Sequence, residues 1–573
     1  MLMLNIVTIW LFCFVCASTL NAQPINRHAV LITEVFPDPL PAVGLPTTEF
    51  IELTNVSDST INLQNWKIGD GSSSARISIP FLLKPDSIVI ICAASSATNW
   101  EPSGSVIGVS NFPSLNNDAD LVVLYSSDGS LIHAISYQTD WYRNEVKSQG
   151  GWTLEMIDTR NPCGDSKNWT ASQDSRGGTP GHTNSVNGAN PDEALPELVR
   201  TRYVDSTTMI ALFNEPMDSS IASTLPNYQF NPKLEINSIV ALSPLFNEIL
   251  IRLEEKPDSN LVYELSVRFV TDCAGNAIGG FNKAKFAQPQ LALKNEIVIN
   301  EILFNPKPDG FDYVEFYNSG KKTIDLSRLF IAGRNTNGDL IGLNKISSEP
   351  FLFFPGEWIV ITENRNWVLN NYFVKQPTYL IQIPDLPSLP DDNGKLVLLN
   401  EQGTILDELH YEDQWHFALI SSKDGVALER IDYSKLTQDK NNWTSAASTS
   451  GFGTPTAMNS QFLSDPQLQG SITINPKVFS PDNDGFDDYA SILYQLNEPG
   501  YVINITVFDM AGRPVRYLVK NETLSQQGKF YWDGLDEKRQ SLPIGIYIVY
   551  TEVFNLKGKK ARFKNTITLA RRL

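Results

Sequence analysis

The sequence predicts an all-β protein built from several antiparallel sandwiches in series. Two observations point to strands. Short runs alternating apolar and polar residues, such as Glu49-Phe50-Ile51-Glu52-Leu53 and Val502-Ile503-Asn504-Ile505-Thr506-Val507, recur between Gly- and Pro-containing turns. A period of two marks a half-buried strand, and no long stretch of helical periodicity competes with it. The third observation is size: 573 residues exceed what one hydrophobic core holds, so about four domains are expected.

The chain opens with an apolar stretch, Ile6 to Ala17, interrupted only by Thr8 and free of charge. Twelve such residues are too few to span a bilayer. The segment is read as a signal peptide, with cleavage expected after Ala22 and Ala17 as the alternative. No later segment is long and apolar enough for a transmembrane span. Removing the leader takes Cys13 and Cys16 with it and leaves Cys92, Cys163 and Cys273. An odd count allows at most one intrachain bridge. Cys92 and Cys163 fall in one region and form the candidate pair; three unpaired thiols are the alternative.

The formal net charge is −19. That balance argues against general nucleic-acid binding, which needs a basic footprint, so no nucleic-acid partner is expected. From Ser471 onward the balance reverses, with 14 Lys/Arg against 11 Asp/Glu.

A long internal repeat organises the middle of the chain. Pro113-Ser114-Leu115, Tyr137, Trp141, Leu154-Glu155 and Asn168-Trp169-Thr170 recur 274 residues later as Pro387-Ser388-Leu389, Tyr411, Trp415, Leu428-Glu429 and Asn442-Trp443-Thr444. At a slightly smaller offset, Thr33-Glu34-Val35 and Phe50-Ile51-Glu52-Leu53-Thr54-Asn55 pair with Asn300-Glu301-Ile302 and Tyr313-Val314-Glu315-Phe316-Tyr317-Asn318. Two copies of one sandwich follow, with the shared Trp and Tyr filling their cores. The second copy has Leu329 where the first has Trp66. The pairs Glu34/Glu52 and Glu301/Glu315 admit acid–base chemistry. On alternating strands, however, they are expected to face away from the core and to bond neighbouring strand or loop amides.

These residues resemble the lamin tail domain, an immunoglobulin-like β-sandwich also found in exported bacterial proteins. Between the copies, Phe213-Asn214-Glu215-Pro216-Met217-Asp218 and a closing Asp272…Gly275-Asn276 resemble the short Ig-like domain of bacterial surface-layer proteins, which implies a spacer sandwich. The C-terminal region runs from Phe479-Ser480-Pro481 through Gly485, Trp532-Asp533-Gly534 and Pro543-Ile544-Gly545-Ile546-Tyr547. It resembles the Ig-like module of flagellar hook-capping proteins and the C-terminal sorting domain of the type IX secretion system in Bacteroidetes. The resemblances imply four tandem immunoglobulin-like β-sandwich domains after a signal peptide. The expected divisions are 1–22 for the leader, 23–187 and 294–462 for the repeated modules, 188–293 for the module between them, and 463–573 for the last.

One cofactor site is expected. Asp482, Asp484, Asp487 and Asp488 surround Gly485 like the start of a calcium loop, in which hard oxygen ligands wrap a flexible cation. The closing Glu of a full loop is replaced by Leu493, and a solvated Asx turn is the plain alternative. None of the five histidines is paired at zinc spacing, and no nucleophile elbow or phosphate-binding loop occurs. The expectation is an exported, non-enzymatic structural or adhesive protein of a cell surface. Its expected partners are the type IX secretion machinery or the outer-membrane surface with its lipopolysaccharide, and a surface protein or glycan ligand. The rival expectation is an accessory binding protein of a secreted nuclease, phosphoesterase or glycan-degrading system; a third reading is carbohydrate binding through the loop aromatics Trp141 and Trp415, against which their repetition argues for core packing.

Overall fold

The computed structural model describes residues 25–418, 420, 422–462, 470–556 and 559–571. The expected leader lies outside the described residues. Regular structure is almost entirely strand, as the alternating patterns require, and the longest described helix, Arg365–Asn371, has 7 residues. No helix among the described residues is long and apolar enough to cross a membrane.

The repeat in sequence is a repeat in topology. In the first copy a six-stranded sheet runs in the spatial order Trp169–Ala171, Leu154–Met156, Val30–Phe36, Phe50–Asn55, Ile88–Ala93 and Val106–Val109. The second copy has the same order in Trp443–Ser445, Leu428–Arg430, Ile297–Leu303, Tyr313–Asn318, Trp358–Thr362 and Leu380–Gln382. A four-stranded sheet faces each: Leu131–Gln138, Ala119–Tyr125, Lys67–Gly69 and Ser74–Arg76 in one, and Ile405–Glu412, Asn393–Asn400, Leu329–Arg334 and Leu340–Lys345 in the other. Between each pair of sheets lies an apolar core, and the repeated Tyr137 and Tyr411, with Trp169 and Trp443, are buried in it. Both tyrosine hydroxyls donate to equivalent carbonyls, of Asn116 at 2.6 Å and Pro390 at 2.9 Å. Trp66 is fully buried in the first core, and Leu329 takes its place in the second.

Residues Leu198–Asp205 through Lys283–Phe286 form a four-stranded and a three-stranded sheet over a core that Leu352 and Phe354 of the second copy join. The C-terminal strands, Ser471–Asn475 to Lys560–Leu569, form a three- and a five-stranded sheet around Trp532 and Phe479. Gly534 has φ 73°, and a Cβ there would lie 2.9 Å from Leu569. Both the turn and the packing therefore call for glycine.

Candidate functional site

The central strands Val30–Phe36 and Ile297–Leu303 are buried at all seven positions. Strict alternation would leave one side of each open to water. Here that side carries glutamates, and the pairing register sets them in a row. Glu34 lies opposite Glu52 on one neighbour and Glu155 on the other. Glu301 lies likewise between Glu315 and Glu429. All six are fully buried. They bond strand and loop donors as expected, but they are closed off from solvent, because the chain following each sheet's last strand folds back over them.

In the first copy, Glu34 Oε1 accepts from Thr153 Oγ1 at 2.6 Å and from the Thr179 amide at 2.9 Å. Glu52 accepts from Thr33 Oγ1 and from the Gly181 amide. Glu155 accepts from Thr179 Oγ1 at 2.8 Å and Ser185 Oγ at 2.7 Å. The second copy repeats this arrangement. The Thr454 amide and hydroxyl donate to Glu301, that hydroxyl also serves Glu429 at 2.9 Å, the Thr456 amide donates to Glu315, and Ser460 Oγ donates to Glu429. Tyr313 Oη adds a short hydrogen bond to Glu301. Asn184 and Asn459 pin the covering segments by donating to the carbonyls of Thr33 and Met156, and of Asn300 and Arg430. Burial is the first cause raising the carboxyls of Glu34 and Glu315 well above the usual range, and it pushes Glu52 and Glu429 up to about 8.

The pairs read from sequence are thus two members of each triad. Glu155 and Glu429 were visible as repeated residues but not as partners of those pairs. A second repeated signal, Gly178-Thr179-Pro180…Asn184-Ser185 against Gly453-Thr454-Pro455…Asn459-Ser460, marks the covering segment and would have completed the set.

The cysteine expectation is corrected. Cys163 bridges to Cys273, 110 residues away in sequence and 6.1 Å away between Cα atoms, and Cys92 is free and buried. Cys92 sits on the interior strand Ile88–Ala93, whereas Cys163 follows Leu154–Met156 in a loop that meets the turn after Asp272. His28 Nε2 lies 4.0 Å from Cys163 Sγ, but sulfurs joined to each other offer a metal no thiolate.

Of the four expected calcium ligands, Asp482, Asp484 and Asp488 bring carboxylate oxygens within 4.8 Å of one another, and Asp487 is not part of that group. The loop also supplies its own donors. Asp488 accepts from the Asn483 amide at 2.6 Å and the Gly485 amide at 2.9 Å, Asp484 accepts from the Phe486 amide, and Gly485 has φ 86°. Trp141 is buried against Trp169, and Trp415 is partly buried on the second core, as the core-filling reading expects. On the last hairpin, Lys559 pairs with Glu498, and Lys560 and Arg562 pair with Glu552. These contacts offset part of its positive charge.

No curated protein sequence matches the chain. Among solved structures it resembles the N-terminal part of the bacterial S-layer protein SbsC (19% identity, 29% of this chain, 40% of that one, TM-score 0.15). It also resembles PorZ, a surface component of the type IX secretion system of Porphyromonas gingivalis (12%, 91% and 74%, TM-score 0.16). A third is a Ca2+-stabilised, ice-binding adhesin of an Antarctic bacterium (8%, 96% and 100%, TM-score 0.13). The chain spans only 40% to 55% of the S-layer structures it matches. Similarities at this level bear on no functional assignment. A family model does recognise the repeated sandwiches: residues 23–139 and 291–413 match the Lamin Tail Domain.

Proposed function

We propose that the chain is exported and acts at a cell surface as a non-catalytic structural or adhesive protein that presents β-sandwich modules in series. One observation carries this reading: the glutamates common to both copies are consumed inside the fold. The two glutamate triads and their Thr, Ser and Asn partners bond one another and the covering backbone, and the six carboxylates have no solvent exposure. What the copies share is therefore scaffold. Recognition of a surface protein or glycan falls to the surfaces on which they differ. Residues 463–573 are proposed as the address read by the type IX secretion machinery and the outer-membrane surface. Calcium at Asp482, Asp484 and Asp488 belongs to the same proposal, supported by the convergence of their oxygens.

The purified mature chain is expected to bind intact cells or a glycan array and to hydrolyse neither nucleic acid, phosphoester nor glycan. Hydrolysis abolished by substituting one acid would overturn the non-catalytic reading. Deleting residues 471–573 and fractionating the cells tests the address: periplasmic accumulation supports it, and undiminished surface display refutes it.

A further inference from the structure

A different group of carboxylates lies where the first repeated sandwich hands over to the next. Asp192 belongs to the connecting segment, Glu215 to the turn after the strand Thr208–Phe213, and Asp272 to the turn after Tyr263–Val267. One oxygen from each lies within 4.8 Å of the others. Glu215 is only 6% exposed, and its Oε1 is buried with no hydrogen-bond donor. A buried carboxylate oxygen without a donor is costly, and such atoms call for an unseen partner.

The neighbours are already arranged. Asp272 is buried, and its Oδ1 accepts from the amides of Gly275 at 2.7 Å and Asn276 at 2.8 Å. Asn276 Nδ2 donates to Asp272 Oδ2 at 2.9 Å and to the Asp192 carbonyl at 3.2 Å, which ties the connecting segment to the turn. Asp192 Oδ1 accepts from the local Ala194 amide at 3.0 Å. Burial, with Asp192 and Asp272 adding to it, pushes the Glu215 carboxyl up to about 7 against the opposing pull of exposed Lys167.

We propose that Asp192, Glu215 and Asp272 bind one calcium ion that fastens the connecting segment to the two turns of the following sandwich. The donors are all hard oxygens, which suits calcium, magnesium or manganese over softer metals. Cys273, next to Asp272, is committed to its disulfide and offers no thiolate. Calcium–oxygen distances of about 2.3–2.6 Å allow ligands up to roughly 5 Å apart, and calcium tolerates an irregular shell completed by carbonyls and water. The ion joins noncovalently the junction that Cys163–Cys273 joins covalently one residue away.

The test is calorimetric titration and thermal unfolding of the mature chain with calcium chloride or with chelator. Asp484→Asn/Asp488→Asn serves as the background, so that the C-terminal loop does not contribute. Calcium is expected to bind with one equivalent and to raise the unfolding temperature. Glu215→Gln keeps the shape and removes the charge. It should lose that equivalent, or weaken it at least tenfold, while melting no lower than its parent in chelator. Asp192→Asn, at a partly exposed position, gives the same readout should Glu215→Gln fold poorly. The proposal fails if the parent binds no calcium at millimolar concentration, or if both variants keep the full equivalent and the full thermal rise. Neither result bears on the surface assignment above.

Discussion

The two repeated sandwiches differ most instructively at one corner. In the first, the amide of Ile32 donates to Nδ1 of buried His133 at 3.0 Å, and Nε2 of that ring meets the Pro162 carbonyl at 3.1 Å. The two contacts together fix a neutral imidazole protonated at Nε2. In the second, the equivalent amide of Ile299 donates to Asp407 Oδ2 at 2.8 Å. Arg430, where the first copy has Met156, closes over that carboxylate at 3.5 Å and donates to the Ile299 carbonyl. The loop residue differs in step: Cys163 forms the disulfide to the next sandwich, whereas its counterpart Thr437 donates to Asp407 Oδ1. One copy thus keeps a neutral corner and uses its loop to reach outward. The other keeps an ionic corner and turns its loop inward. A backbone amide specifies only an acceptor, and the rest of the corner then has to match the charge of the one chosen.

Substitutions can break this match. Arg430→Met alone would leave Asp407 buried without its cation and should destabilise the second copy by about 3–5 kcal/mol in calorimetry of the full chain. Adding Asp407→His rebuilds the first copy's pair and should recover most of that loss. An additive double variant would show that the two corners are not interchangeable. Cys273→Ser should lower the transitions of the first two sandwiches by about 2–5 kcal/mol and leave the second copy's unchanged. His133→Ala strands the Ile32 amide and the Pro162 carbonyl, and should cost the first copy roughly 2–3 kcal/mol in denaturant unfolding.

The triads make both copies sensitive to pH. Glu52 and Glu429 are raised by burial from an ordinary 4.5 to about 8, so folding favours their protonated forms. Their contribution is complete below pH 4.5 and is lost as pH rises through about 8. Both copies should therefore melt lower at pH 9 than at pH 6, by on the order of 2 kcal/mol, and Glu52→Gln or Glu429→Gln should flatten the slope of its own copy. Histidines act with the opposite sign. His133 and His28 are lowered by burial from 6.5 to about 4 and about 3, so their stabilisation is present above pH 6.5 and lost on acidification. The second copy has one such ring, His416, lowered to about 4. Between pH 6.5 and 4 the first copy should lose stability more steeply, by about 3 kcal/mol for its extra ring, read as the separation of the two transitions.

Strand patterns and the repeat made the all-β architecture and the shared cores legible in the sequence, because both rest on apolar spacing. Repetition at one offset is enough to place Tyr137, Tyr411, Trp169 and Trp443 in the cores. The glutamate triads were only half legible. Period-two logic assigns one face of Val30–Phe36 to solvent, and only the covering segment from Gly178 to Ser185 makes both faces interior. The bridge was illegible for a related reason. Proximity in sequence points to Cys92, whereas Cys163 lies in a loop whose partner sulfur belongs to the next sandwich. The carboxylates of the junction are likewise drawn from three separated segments, which no local motif reports together.

The same bridge has a mechanical consequence. With Cys163 and Cys273 joined, tension applied at the ends of the chain passes across the disulfide and cannot extend the residues between them. Those 110 residues would otherwise release roughly 370 Å of extended chain at about 3.4 Å each. An oxidised molecule pulled from its ends should withhold that length, which comprises the last strand and covering segment of the first sandwich and all but the last strand of the second. Reduction would restore that length, turning the thiol–disulfide state into a setting for how far the chain can reach under load.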